Sequence, residues 1–248
     1  MTTPDEAIAR LRAAATPENA AGMADYHKAP REYLGCAMPD LDPLVKSWRT
    51  EASVEERIAL AAGLWDSNIH EAMIAASKLL TQARIPDHEE EVWQEFLRWV
   101  PAFDAWAIAD HACNVGSRRL TAHPHRIETV EAWTTSPDKW TRRAALVVTL
   151  PYAKLTHPAP EDRAIRTRIL TWAEAYVPDP DWFIQKSIAW WLRTLSVREP
   201  QTVLDFIAGP GQGMKAFARK DAVRKIRGIS CRPPQPSQAL PPKTNGPL

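Results

Sequence analysis

Cysteine is nearly absent from this chain: Cys36, Cys113 and Cys231 are odd in number and widely spaced. With no CxxC pair, neither a disulfide framework nor a cysteine zinc site is supported. Glycine is sparse, nine in 248 residues, and β-branched runs are scarce, in keeping with a chain that reads almost entirely as helix. Long apolar runs are missing too. The stretch Ala144 to Leu150 is far too short to span a bilayer. The first residues, MTTPDEAIARLRAAA, place acids early and hold no uninterrupted apolar core, so no secretory signal is read and a cytoplasmic protein is expected. The glycine-bearing loop Gly209 to Gly213 lacks the GKS/T ending and follows no predicted strand, which excludes a phosphate-binding P-loop.

Tryptophan, by contrast, is abundant: eleven residues, enough to build a core, a ligand platform or both. The net charge of +1 hides an asymmetry. Residues 1–112 carry 10 Lys+Arg against 19 Asp+Glu, whereas residues 113–248 carry 21 against 11. A basic half of that size suits a polyanion, because phosphate contacts dominate non-specific nucleic-acid affinity.

One helical signal occurs three times, at Trp65 to Leu80, Trp133 to Leu150 and Asp179 to Leu195. Each copy opens on turn or capping residues and runs into small and aliphatic residues at helical spacing. Trp140 and Phe183 hold matching places 43 residues apart, as do Arg143 and Lys186. Paired helices repeating every ~40–47 residues mark HEAT-type solenoids. Such units bury their apolar stripes only by stacking, which leaves a curved concave face. The expected fold is therefore all-α: a HEAT-like helical superhelix over residues 1–231, followed by a proline-rich, disordered tail over 232–248. Within it, Thr16-Pro17 reads as a cap with an N1 proline and Ser53-x-x-Glu56 as a capping box. Asp138 to Tyr152 reads as one helix and Lys215 to Arg227 as a basic one. His123-Pro124-His125 reads as a turn, since a His-x-His pair without a third ligand makes a poor metal site.

Three features bear on chemistry. Trp106 and Asp110 are four apart and share one helix face, with the small Ala105, Ala107 and Ala109 beside them. An aspartate inside an apolar helix needs a partner or a task; an inter-repeat salt bridge would supply the first. Arg143, one turn beyond Trp140, could grip a phosphate bidentately or pair with Asp110, and Arg142 beside it points elsewhere. Of the adjacent Trp190 and Trp191, one can face the core and the other a groove, unless both are simply core.

Taken together, these segments resemble the AlkD family of HEAT-like DNA glycosylases. The similarity is strongest over Trp182-Phe-Ile-Gln-Lys-Ser-Ile-Ala-Trp190-Trp-Leu-Arg193, Pro200 to Phe206 and Phe217 to Ile226. It extends upstream through Trp133 to Ala145, Trp106 to Asp110, Leu64 to Asp66 and Met23 to Tyr26, or roughly residues 16–230. The resemblance implies an enzyme that hydrolyses the N-glycosidic bond of cationic N3- or N7-alkylated purines, and with no lysine beside Asp110 in the sequence it is expected to be monofunctional, leaving an abasic site. Double-stranded DNA carrying such purines would be the partner of a monomer that uses no metal or other cofactor. It places the catalytic aspartate on Asp110, the groove tryptophans on Trp106 and Trp190, and a phosphate-holding arginine on Arg143. Tyr26, Arg142, Lys186, Arg219 and Lys220 would contact DNA. One departure is Ala107, where the family often carries an acid; a second is a longer loop between Thr156 and Asp181. Two rival readings share the fold: a HEAT-like protein that binds damaged or branched DNA without chemistry, and a protein-binding scaffold.

Overall fold

Among the described residues, a capping side chain sets five of the fourteen α-helix starts. Thr3 and Glu6 form a reciprocal capping box that opens α1 (Pro4–Ala13), and Ser53 and Glu56 do the same for α4 (Val54–Asp66). Thr16 caps α2 (Pro17–His27), whose first residue is the predicted N1 proline. Asp138 caps α9 (Lys139–Val148) and Asp181 caps α12 (Trp182–Leu195). Each such cap contributes about 0.5–2 kcal/mol. The remaining helices are α3 (Met38–Glu51), α5 (His70–Leu80), α6 (Glu89–Trp99), α7 (Trp106–Ala122), α8 (Ile127–Ala132), α10 (Leu150–Lys154), α11 (Pro160–Ala175), α13 (Pro200–Ala208) and α14 (Ala216–Ala222). This computed structural model describes residues 2–85 and 87–226, and among them no strand occurs. The predicted tail, Cys231 and Arg227 lie outside the described residues.

Two predicted elements differ from what is observed. The single helix expected over 138–152 breaks into α9 and α10 at Thr149. Pro151 has no N–H to continue the ladder, and the Thr149 hydroxyl instead donates to the carbonyls of Ala145 and Leu146. The basic helix expected over 215–227 ends at Ala222, where the chain passes into a turn.

The helices stack as a superhelix. α5, α7, α9, α12 and α14 each pack on the next and form one continuous layer, while α4 backs α5, α6 backs α7 and α13 backs α12. The repeat seen in the sequence is a packing repeat: Trp140 of α9 meets its counterpart Phe183 of α12 with ring centroids 4.6 Å apart. Gly116 permits a close approach of α7 to its neighbours, since a Cβ there would lie 2.4 Å from the Phe96 ring and 2.7 Å from Val148. Seven tryptophans (48, 65, 93, 99, 140, 172 and 191) are buried, and Trp65 stacks on Trp99 at 4.4 Å. Trp106, Trp133 and Trp190 are half-buried and Trp182 is exposed. Tryptophan thus serves both as core and as surface.

One buried acid organises the N-terminal end. The Glu71 carboxylate accepts from the amides of Leu34 (3.0 Å), Gly35 (2.7 Å) and Cys36 (3.2 Å). Gly35 is required there: its φ is +91°, and a Cβ would fall 2.1 Å from the Thr16 carbonyl oxygen. This clasp fastens the segment between α2 and α3 to α5. It matters because α2 itself has no buried residue.

Candidate active site

Trp106 begins α7, and Asp110 follows one turn later on the same face. Facing it from α9, Arg143 donates from Nε to Asp110 Oδ1 (3.1 Å) and from Nη2 to Oδ2 (2.8 Å). Its third nitrogen, Nη1, donates to the Phe183 carbonyl of α12 at 3.0 Å, and its guanidinium lies 5.9 Å from the centre of the Trp190 ring. Arg143 is 3% exposed, whereas 18% of the Asp110 side chain remains open. Burial raises the Asp110 carboxyl above its ordinary range, and the charge and hydrogen bonds of Arg143, then the charge of Lys186, pull against that rise.

Two clefts meet at this carboxylate. The smaller, about 450 Å³, is lined by Tyr26, Trp106, Asp110, Arg143, Trp182, Phe183, Lys186, Trp190, Arg193 and Asp221. The larger, about 760 Å³, shares Trp106, Asp110 and Trp190 and runs on past Ala107, His111, Asn114 and Arg118 to Lys154. Trp190 faces both clefts while Trp191 is fully buried, so the adjacent pair divides between groove and core. Tyr26 is 70% exposed and meets Trp106 edge-on at 6.0 Å. Behind it, His27 packs against Trp106 (5.4 Å) and against His70 (4.5 Å).

The fold does not gather every residue expected to contact DNA. Tyr26 and Lys186 stand in the smaller cleft beside Asp110. Arg142 does not: it donates to the Ser136 and Pro137 carbonyls (2.8 and 2.9 Å) and pairs with Asp179 at 2.9 Å. Adjacent helical residues diverge, so with Arg143 turned into the site Arg142 is turned out of it and serves the loop before α12. Arg219 and Lys220 sit on α14 and line neither cleft, and Arg219 donates to the Gln212 carbonyl at 3.4 Å. Conversely, Trp182, Arg193, His111, Arg118 and Lys154 line the site, although only Arg193 and Trp182 fell within a recognisable motif. Nothing in the spacing of the others signals it, since their convergence depends on how α7, α10 and α12 stack. Among the described residues, no cluster of three or more His, Cys, Asp or Glu is arranged to hold a metal ion, and no helix is long and apolar enough to cross a membrane.

Fold and site define a helical-repeat protein whose groove converges on one arginine-clamped carboxylate flanked by two indoles. The chain belongs to the DNA alkylation repair enzyme family, whose model matches residues 7–226. Among solved structures it is similar to a predicted DNA alkylation repair enzyme from Enterococcus faecalis. The two share 22% identity and superpose with a TM-score of 0.71 over 87% of this chain and 98% of that one. That degree of likeness supports the shared fold. No curated protein matches the chain.

Proposed function

We propose that this protein is a DNA glycosylase that hydrolyses the N-glycosidic bond of cationic N3- or N7-alkylated purines in duplex DNA. The observation that carries the reading is the Asp110 carboxylate. It is gripped at both oxygens by Arg143, flanked by Trp106 and Trp190, and still open to two clefts.

The chemistry suits that arrangement. An alkylated purine carries a positive charge, so the bond from C1′ to the base nitrogen breaks with its electron pair passing to a base that leaves neutral. Positive charge then develops on the deoxyribose. A fixed carboxylate stabilises this oxocarbenium-like state, orients the attacking water and accepts its proton, leaving free base and an abasic site. The electron-rich faces of indoles favour a cationic base and the sugar beside it. Because the lesion supplies its own reactivity, no tight pocket for a flipped base is needed.

Family resemblance suggested a phosphate for Arg143, but Nε, Nη1 and Nη2 each already hold an acceptor inside the protein. We assign it instead to holding Asp110, and the phosphates to exposed cations such as Lys186, Arg118 and Lys154. Lys186 shares the cleft with Asp110 from another helix, but no lysine sits beside Asp110 in the sequence. A monofunctional reaction follows, and borohydride should trap no protein–DNA adduct.

The completeness of the Asp110–Arg143 pair is also what an inert inter-repeat bridge would show, which motivates the second reading: a DNA-binding protein without chemistry. Release of free base from duplex containing N7-methylguanine decides between them. Release by the wild type but not by Asp110→Asn supports the glycosylase; no release from either, with duplex binding retained, overturns it.

A further inference from the structure

Four large apolar side chains stand exposed among the described residues, and two of them touch. Trp182, at the first position of α12, and Phe217, on α14, lie with ring centroids 5.9 Å apart and planes tilted by 31°. They are 46% and 37% exposed. Phe183 supports Trp182 edge-on at 4.9 Å. Trp182 lines the smaller cleft, the same space onto which Asp110 opens. An indole so placed leaves much of its apolar surface in water, although burying it is what makes tryptophan stabilising.

The polar surroundings of this pair narrow what could cover it. The first amides of α12 are not free to hold an anion, because the Asp181 carboxylate accepts from Phe183 N (2.7 Å) and Ile184 N (3.3 Å). The cation is Lys186, one turn along α12, whose ammonium rests 4.3 Å from the centre of the Trp182 ring. Lys220 follows Phe217 on the neighbouring helix, one turn on and likewise exposed. Flat aromatic faces beside flexible ammonium groups match a nucleotide: a base to stack and a phosphate to neutralise.

We infer that Trp182 and Phe217 form a stacking platform for an unpaired nucleobase at or beside the damaged position, with Lys186 holding that nucleotide's phosphate. This rests on the repair reading above and assigns a second point of DNA recognition, which runs from Trp182 in that cleft to Phe217 just outside it. A cation resting on an exposed ring is held more weakly than a base stacked on an indole. The arriving base therefore displaces the ammonium, and the long flexible lysine stem swings it to the phosphate. Stacking is indifferent to base identity, so the platform reads openness of the duplex and not its sequence. A pair that is already disrupted supplies its base at the lowest unstacking cost.

The test compares binding of labelled undamaged duplex with the same duplex carrying a one-nucleotide bulge. Wild type is expected to prefer the bulge about 5- to 100-fold. Trp182→Ala should abolish that preference by weakening the bulge complex far more than the intact-duplex complex, and Trp182→Phe should restore most of it. Lys186→Met should weaken both complexes and lower the slope of log affinity against log salt by about 1. Because Trp182 is exposed at a helix end, unchanged circular-dichroism melts are expected for these variants. Equal weakening of both complexes by Trp182→Ala, or no weakening of either, overturns the platform. A wild type that prefers the bulge yet releases no alkylated base supports the platform and overturns the glycosylase. A wild type that binds no DNA overturns both.

Discussion

Arg143 holds both carboxylate oxygens of Asp110 and, through its remaining nitrogen, the carbonyl of Phe183, so one guanidinium fastens α7, α9 and α12 together. A lysine keeps the charge but loses the two-point grip. Arg143→Lys is therefore expected to slow base release on the order of tenfold to a hundredfold, the scale of a misplaced catalytic group, with DNA affinity nearly unchanged. Arg143→Ala leaves a mostly buried carboxylate unpaired and should cost about 3–5 kcal/mol of stability. Single-turnover release and urea melts measure the two effects. Equal losses of affinity and rate in Arg143→Lys would return this residue to phosphate binding.

On the glycosylase reading proposed above, the acid limb of the reaction belongs to Asp110. It works ionised, and burial lifts its pKa against the opposing pull of Arg143 and Lys186. The rate should thus fall as pH falls, with a midpoint above that of a free aspartate. Lys186→Met removes a charge that favours the ionised form, and should move the midpoint further up. A pH profile of single-turnover release reports both. A midpoint that stays put in Lys186→Met would show that the two groups do not communicate.

What the sequence disclosed was local. Capping boxes, the N1 proline and the face shared by Trp106 and Asp110 depend on residues three or four apart, so they are legible without a fold. The pairing of Arg143 with Asp110 was one of two options, and the packing of α9 on α7 decides it. Charge counting was the weakest guide. Much of the basic half is already neutralised internally: Arg119 pairs with Glu89, Arg126 with Glu90, Arg166 with Glu199 and Arg168 with Glu128 and Glu131. The contacts of Trp182 with Phe217 and of His27 with His70 join residues far apart in the chain, and no periodicity announces them.

Two histidines make stability depend on pH. Burial, and then the charges of His27, Arg31 and His111, depress His70 to about 3. Burial and then Lys78 depress His111 to about 4, with Asp42 opposing. Both bases have folded values below the ordinary 6.5, so on acidification the unfolded chain takes up protons first. Their contribution is complete above about pH 6.5 and is lost as pH falls towards the folded values. By pH 5 each should have cost about 2 kcal/mol. His111→Asn, at the partly open site, should remove roughly half of this dependence. Urea melts at pH 8, 6 and 5 test it, and identical slopes for variant and wild type would refute it.

Tyr26 reaches the cleft on a helix with no buried residue, and the Glu71 clasp holds the segment that follows it. Glu71→Gln replaces one acceptor oxygen with a donor that faces a backbone N–H. A loss of about 2–3 kcal/mol is expected, since hydrogen bonds to a buried charge are the strong ones. Gly35→Ala should be at least as harmful, because both its φ and the Thr16 carbonyl oppose a Cβ. In either variant the segment 28–37 should become open to limited proteolysis and DNA affinity should fall. Unchanged digestion would mean that α2 is held by other contacts.

Cations inside the larger cleft should behave differently from cations spent on the fold, and salt tells them apart. Arg118 and Lys154 are exposed and line that cleft. Neutralising a phosphate releases counterions, so Arg118→Gln and Lys154→Gln should each weaken duplex binding and lower the slope of log affinity against log salt by about 0.9. Arg142 is charged as well, but its guanidinium is committed to Asp179 and two carbonyls. Arg142→Gln should leave the slope unchanged while lowering the melting temperature, because it frees the loop before α12 and leaves Asp179 unpaired. A reduced slope in Arg142→Gln would place that residue on the DNA after all, and unchanged slopes for Arg118 and Lys154 would take the duplex out of the larger cleft.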